Sequence, residues 1–219
     1  MSRTGSAWTT SDGSRVITRP ARGATSGPRR SVAEFVARLR SRPCCAAVVG
    51  PRYLDRALNS AAPIVFVLRG DGLQLHEQIA RIHAAGKLAA IHLDLVDGLS
   101  TDTHGVAWLA RSEADAIITS HGRLVPAIRR EGCLAIHRLL LSRRSHLDSA
   151  MKAAARAAPD ILEVLPGIVL PSITQLLPRL GIPVLAGGFI RSDADVRSVM
   201  AAGAAGVTTS MAELWGTEG

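Results

Sequence analysis

The sequence predicts an α/β protein, a compact (β/α)8 TIM-type barrel over residues 43–216, and three observations carry that prediction. Short apolar runs alternate with longer stretches of helical periodicity, the pattern of successive β-α units on a parallel sheet. Eight such runs can be counted, and eight strands close a barrel. Gly and Pro punctuate the junctions, as at Pro159-Asp160 and Gly181-Ile182-Pro183, where a helix must stop and a buried strand begin. An open doubly wound sheet, which needs fewer strands, is the second choice.

Taken in order, residues 1–30 are Ser, Thr, Gly, Pro and Arg with little apolar periodicity. Such a stretch cannot bury enough surface to offset the entropy of ordering, so it reads as a disordered, Arg-rich arm. Residues 31–42 read as a short helix with Ser31 as N-cap, because Val32, Phe35, Val36 and Leu39 recur at helical spacing before Pro43. The strand candidates are Cys45–Val49, Ile64–Leu68, Leu88–Asp94, Ala116–Ile118, Leu134–Arg138, Ile161–Leu165, Val184–Ala186 and Gly206–Thr208. Helical patterns begin near Pro51, Leu73, Thr101, Arg123, Ser145, Leu170, Ser192 and Met211. The segment is short for this fold, so helices and loops must be tight.

Composition narrows the function classes. With 47% apolar residues in 219, the chain can form a substantial core. No apolar run approaches the roughly 20 residues of a membrane span, and no secretory signal stands at Met1–Ser6, so a cytoplasmic protein is expected. Cys44, Cys45 and Cys133 have neither disulfide nor metal-ligand spacing and read as buried thiols. Aromatics make up 3%, too few for a base-stacking platform, so any RNA contact must lean on arginine. Nine arginines stand against Asp12 and Glu34 in residues 1–42, whereas the other 177 residues carry 17 basic and 16 acidic side chains. The net charge of +8 therefore belongs almost wholly to the N-terminal stretch.

In a parallel barrel, functional groups gather where strands end. Val184-Leu185-Ala186-Gly187-Gly188 is followed about 20 residues on by Gly206-Val207-Thr208-Thr209-Ser210. Adjacent glycines let backbone N–H groups approach an oxyanion, and the loops after strands seven and eight are a common phosphate corner. Gly187-Gly188 could equally make a tight turn and nothing more. His92 and Asp94 fall on one face by strand alternation, and two polar groups among Leu, Ala and Ile require a partner. The options are a ligand's hydroxyls, a divalent cation or a pairing with Arg138 across the barrel. Glu163 could serve as a general base, as a hydroxyl acceptor or as a partner for Arg138. No nucleophile with a paired base emerges, so no catalytic residue, metal or cofactor is assigned.

From Gly86 to Trp215 the chain resembles the glycerol-3-phosphate responsive antiterminators. The resemblance runs through His92-Leu93-Asp94-Leu95, Asp97-Gly98-Leu99, Ile136-His137-Arg138, Leu162-Glu163-Val164-Leu165-Pro166-Gly167, Ala186-Gly187-Gly188-Phe189-Ile190, Thr208-Thr209-Ser210 and Leu214-Trp215. It implies a barrel that senses glycerol 3-phosphate or a similar phosphate ester and acts on leader mRNA; a homodimer is compatible with it. Carried onto this chain, it implies that Gly187, Gly188, Thr209 and Ser210 hold the phosphate. His92, Asp94, Arg138 and Glu163 then meet the glycerol part or shape the pocket. RNA contacts would come from Arg29 and Arg30 of the arm and from Arg143 and Arg144. The chain departs from the family pattern at Thr119-Ser120-His121, where relatives carry a lysine, at Arg143-Arg144, where they carry Asp-Ser, and at His137, which replaces Gln. An enzyme on a small phosphorylated metabolite, an isomerase or a phosphodiester hydrolase, is the alternative.

Overall fold

The computed structural model describes residues 30–143, 147–175 and 181–216. Eight strands form a closed parallel barrel in chain order: β1 (Cys44–Val48), β2 (Ile64–Val67), β3 (Leu88–His92), β4 (Ala116–Thr119), β5 (Leu134–Leu140), β6 (Ile161–Leu165), β7 (Val184–Gly187) and β8 (Gly206–Thr209). β8 returns to β1 with Cys45 opposite Thr208, which closes the ring and leaves no edge. The open-sheet alternative is thereby set aside. Among the described residues, no helix is long and apolar enough to cross a membrane.

Strand alternation divides the core in two. Ala47, Phe66, Ala90, Ile118, Ile136, Ile161 and Leu185 belong to one buried cluster that fills the barrel. Residues one position away, such as Ala46, Val65, Ile91 and Ile117, pack outward under the helices. The outer shell is α2 (Leu54–Leu58), α3 (Gly72–Ala84), α4 (Thr103–Arg111), α5 (Val125–Arg130), α6 (Leu147–Ala157) and α7 (Asp193–Ala201).

The short helix α1 (Val32–Ser41) precedes the barrel and closes its N-terminal end. Ser31 caps it by accepting from the Glu34 N–H at 3.0 Å, and its two buried side chains, Phe35 and Leu39, join the interior cluster. Gly206 is required beneath it, because a Cβ there would lie 2.7 Å from Leu39 Cδ1 and 3.0 Å from the Pro43 carbonyl.

Three expectations need correction. β3 ends at His92, and Asp94 sits in a 3-10 turn, Leu93–Leu95, so His92 and Asp94 do not share a strand face. The patterns near Leu170 and Met211 form 3-10 turns, Gly167–Ser172 and Ala212–Trp215, rather than α-helices: Pro171 removes an amide from the first, and Gly216 at φ 74° stops the second. A two-residue ladder between Gly70–Asp71 and Val96–Asp97 was not foreseen, being too short to leave a periodic signal. Of residues 1–30, only Arg30 is described.

Candidate functional site

The end of the barrel where strands finish carries a cleft of about 550 Å³. Its floor is polar, made by side chains that alternation turns inward at the ends of β5, β6 and β8. Arg138 Nε donates to Glu163 Oε2 at 2.7 Å, and the Thr208 hydroxyl donates to Glu163 Oε1 at 2.6 Å. Glu163 is 1% exposed, and a carboxylate so buried is tenable only with such partners. Thr208 has spent its one proton, so its lone pairs remain able to accept. Among the described residues the Arg138 Nη groups have no hydrogen-bond partner, and Arg138 lines the cleft.

Gly187 makes this network possible. A Cβ at that position would lie 2.5 Å from Thr208 Oγ1 and 2.9 Å from Glu163 Oε1. Gly188 and Phe189 follow with φ of 78° and 59°, so the chain turns sharply over the cleft and leaves the Phe189 ring exposed. Arg191 reaches the same wall, its guanidinium 5.8 Å from the Phe189 ring centroid. Across from it stand Thr209, Ser210 and Met211.

At the start of α7, side chains of the first turn take up several of the N–H donors that an anion would use. The Ser192 hydroxyl accepts from the Asp195 N–H, and the Asp195 carboxylate accepts from the N–H groups of Arg191 and Ser192. Those bonds hold the Asp195 carboxyl below its usual range. Asp193 and Asp195 add negative charge there. An anion in the cleft is therefore better served by the β7 and β8 loops than by this helix.

Two corners of the barrel share one construction. Thr119-Ser120 ends β4 and Thr209-Ser210 ends β8; each threonine hydroxyl accepts from the N–H two residues on, His121 at 3.0 Å and Met211 at 3.1 Å. A 3-10 turn follows each. Strand register extends the correspondence, since His92 pairs with Ile118 and Gly187 with Thr208. Two residues on, Asp94 corresponds to Phe189. At the first corner Asp94 takes the Thr119 hydroxyl at 2.6 Å and the Ser120 N–H at 2.7 Å. At the second no carboxylate is supplied among the described residues, and the Thr209 hydroxyl turns to the Ile190 carbonyl at 3.0 Å.

His92 points inward with Arg138 and Glu163 but does not line the cleft. Its Nδ1 is buried with no hydrogen-bond partner among the described residues. Burial, and then the Arg138 charge, lower its pKa to about 4, so the ring is neutral at ordinary pH. Of the other residues named from sequence, Arg138, Glu163, Gly188, Thr209 and Ser210 line the cleft, and Gly187 backs it. Asp94 belongs to the corner at the end of β4, on the far side of the ring from β8. Arg143 lines a separate groove of about 270 Å³ beside Leu141 and Val169. Arg30 lies at the opposite end, where its Nε donates to Asp115 at 2.8 Å. Arg29 and Arg144 fall outside the described residues. Thr208 was read only within the strand-end motif and given no role of its own, although alternation along β8 turns it inward beside Gly206; Arg191 was missed, since nothing in the sequence distinguishes it from other surface arginines.

The comparisons with known proteins agree with this architecture. The chain matches the family described as glycerol-3-phosphate responsive antiterminator over residues 44–215. It is 31% identical over 178 residues to the Escherichia coli K12 protein described as uncharacterized protein YgcP, covering 81% of this chain and 93% of that one. The solved glycerol uptake operon antiterminator regulatory protein of Listeria monocytogenes is 30% identical, with a TM-score of 0.72 over 76% of this chain and 91% of the other. A glycerol uptake operon antiterminator-related protein of Thermotoga maritima gives the same TM-score at 23% identity, covering 80% and 98%.

Proposed function

Because the chain belongs to the glycerol-3-phosphate responsive antiterminator family, we propose that its cleft binds glycerol 3-phosphate and that the loaded protein acts on leader mRNA as a regulator of glycerol metabolism genes. The observation that carries the ligand reading is the unfilled Thr209-Ser210 corner. Its counterpart at Thr119-Ser120 holds a carboxylate, whereas this one opens onto a cleft with two arginines. In this reading the phosphate lies against Gly188, Thr209 and Ser210, with Arg191 at the rim. The glycerol hydroxyls meet Arg138 and Thr208, and Glu163 orients both.

The same bonds argue against turnover. An isomerase would need Asp94 and Glu163 as an acid and a base flanking one carbon. Glu163 is held by Arg138 and Thr208, and Asp94 by Thr119 and Ser120, so neither carboxylate is poised to take a proton from a substrate.

Calorimetric titration with glycerol 3-phosphate, glycerol and inorganic phosphate, followed by analysis of the recovered ligand, tests this reading. Saturable binding of the intact ester, lost in Gly188→Asp, is expected. Failure to bind the ester would overturn the ligand, and conversion to product would move the protein to the enzyme class.

A further inference from the structure

The two ends of the barrel differ in charge. The end that carries the cleft holds Asp71, Asp94, Asp97, Asp102, Asp193 and Asp195 in its loops and helix starts, and these offset the arginines there. At the opposite end helices finish and strands begin, and arginines collect. α5 ends in Arg129 and Arg130, α4 in Arg111, and α6 has Arg156 in its last turn. α1 lies across this end with Arg38 and Arg40 in its last turn and Arg42 just beyond.

The helix dipole explains only part of this. A cation near a helix C-terminus is favoured by a few tenths of a kcal/mol to about 1 kcal/mol. It does not call for paired arginines on α5, nor for Arg42 outside any helix. Some of the charge is spent locally, as Arg30 pairs with Asp115, Arg38 with Glu34 and Arg129 with Asp160. Arg40, Arg42, Arg111, Arg130 and Arg156 are exposed and have no ion pair among the described residues. Glu113 and Glu131 follow Arg111 and Arg130 in the chain.

Arg30 is fixed at this end by Asp115, and the sequence before it carries five arginines against Asp12. With the regulator reading as its premise, we propose that this end of the barrel, opposite the cleft, docks the backbone of single-stranded RNA. Guanidinium groups supply the contacts, and bases are not read at this surface, because so few aromatics are available for stacking.

The test is binding of the full-length chain to a fluorescently labelled oligouridine across a series of KCl concentrations. The triple charge reversal Arg40→Glu, Arg42→Glu and Arg130→Glu should weaken binding at least about tenfold. It should also flatten the dependence of log K on log [KCl] by about 2, since each lost single-strand phosphate contact removes about 0.7. Arg52→Glu with Arg123→Glu, on the cleft end, should leave both unchanged. A milder pair, Arg111→Gln with Arg156→Gln, guards against misfolding and should give a smaller loss of the same kind. Equal RNA binding by parent and triple variant overturns the surface, as does preference for anionic vesicles over RNA or a loss confined to the cleft-end pair. Glycerol 3-phosphate calorimetry on the same preparations separates the two claims. Loss of RNA binding in the triple variant with no ester binding in the parent sinks the sensor and keeps the surface. Ester binding without an arginine-dependent RNA complex does the reverse.

Discussion

At the scale of single residues, the molecule concentrates its intolerance around Glu163. Gly187→Ala would drive a methyl group into the Thr208 hydroxyl and the Glu163 carboxylate, so we expect a loss of about 1–3 kcal/mol together with the ligand site. Arg138→Met should be costlier, about 3–5 kcal/mol, because it leaves a buried carboxylate with Thr208 alone. Urea denaturation of both variants beside the parent measures these costs. His92 gives a pH dependence with a defined sign. Its folded pKa of about 4 lies below the usual value near 6.5, so the unfolded chain takes up the proton first. The ring therefore withdraws stability as pH falls from about 6.5 to 4, with a slope of at most about 1.4 kcal/mol per pH unit. Urea midpoints across that range should fall less steeply in His92→Gln, and parallel curves would refute the assignment. The cysteines sit at the other extreme of reactivity: burial raises Cys44 to about 11 and Cys45 well above its ordinary value. Among the described residues all three thiols are buried, so they should react with a disulfide reagent only as the chain unfolds.

At the scale of elements, α1 is the piece whose removal is most informative. Phe35 and Leu39 are its two fully buried side chains, with Val32 packed beside the same cluster, and Phe35→Ala or Leu39→Ala should each cost about 2–5 kcal/mol. Thermal melts of the two variants decide whether the helix is a plug or an ornament. Its cap and its two buried residues were readable from sequence because Ser31 and the spacing of Phe35 and Leu39 are local signals. The barrel strands were readable for the same reason, being apolar runs buried on both faces. What could not be read was set by partners distant in sequence. Asp94 leaves the strand for a turn because Thr119 and Ser120 supply its bonds. Thr208 is turned inward by alternation along β8, but its bond to Glu163, 45 residues away, left no local signal. The family resemblance named Arg138, Glu163, Gly188, Thr209 and Ser210 of the cleft lining, yet it could not show that His92 and Asp94 lie outside that lining.

At the scale of the whole molecule, the proposed ligand cleft and the arginine-rich end lie on opposite sides of one packed interior. Ester and RNA should accordingly bind together rather than compete, and a ternary complex should persist when the ester saturates a labelled RNA complex. Any influence of one on the other must then be carried by the barrel as a change in the relative stability of two states. The paired corners add a consequence of a different kind. One half of the barrel carries its own anion on the chain at Asp94, and the other half borrows one from solution if the ligand reading holds. Phe189 stands at the position corresponding to Asp94, at a φ of 59° that aspartate tolerates better than phenylalanine. Phe189→Asp would thus convert a receptor into a self-occupied form: still folded, indifferent to added ester, and informative about which state the filled corner imposes on the rest of the chain.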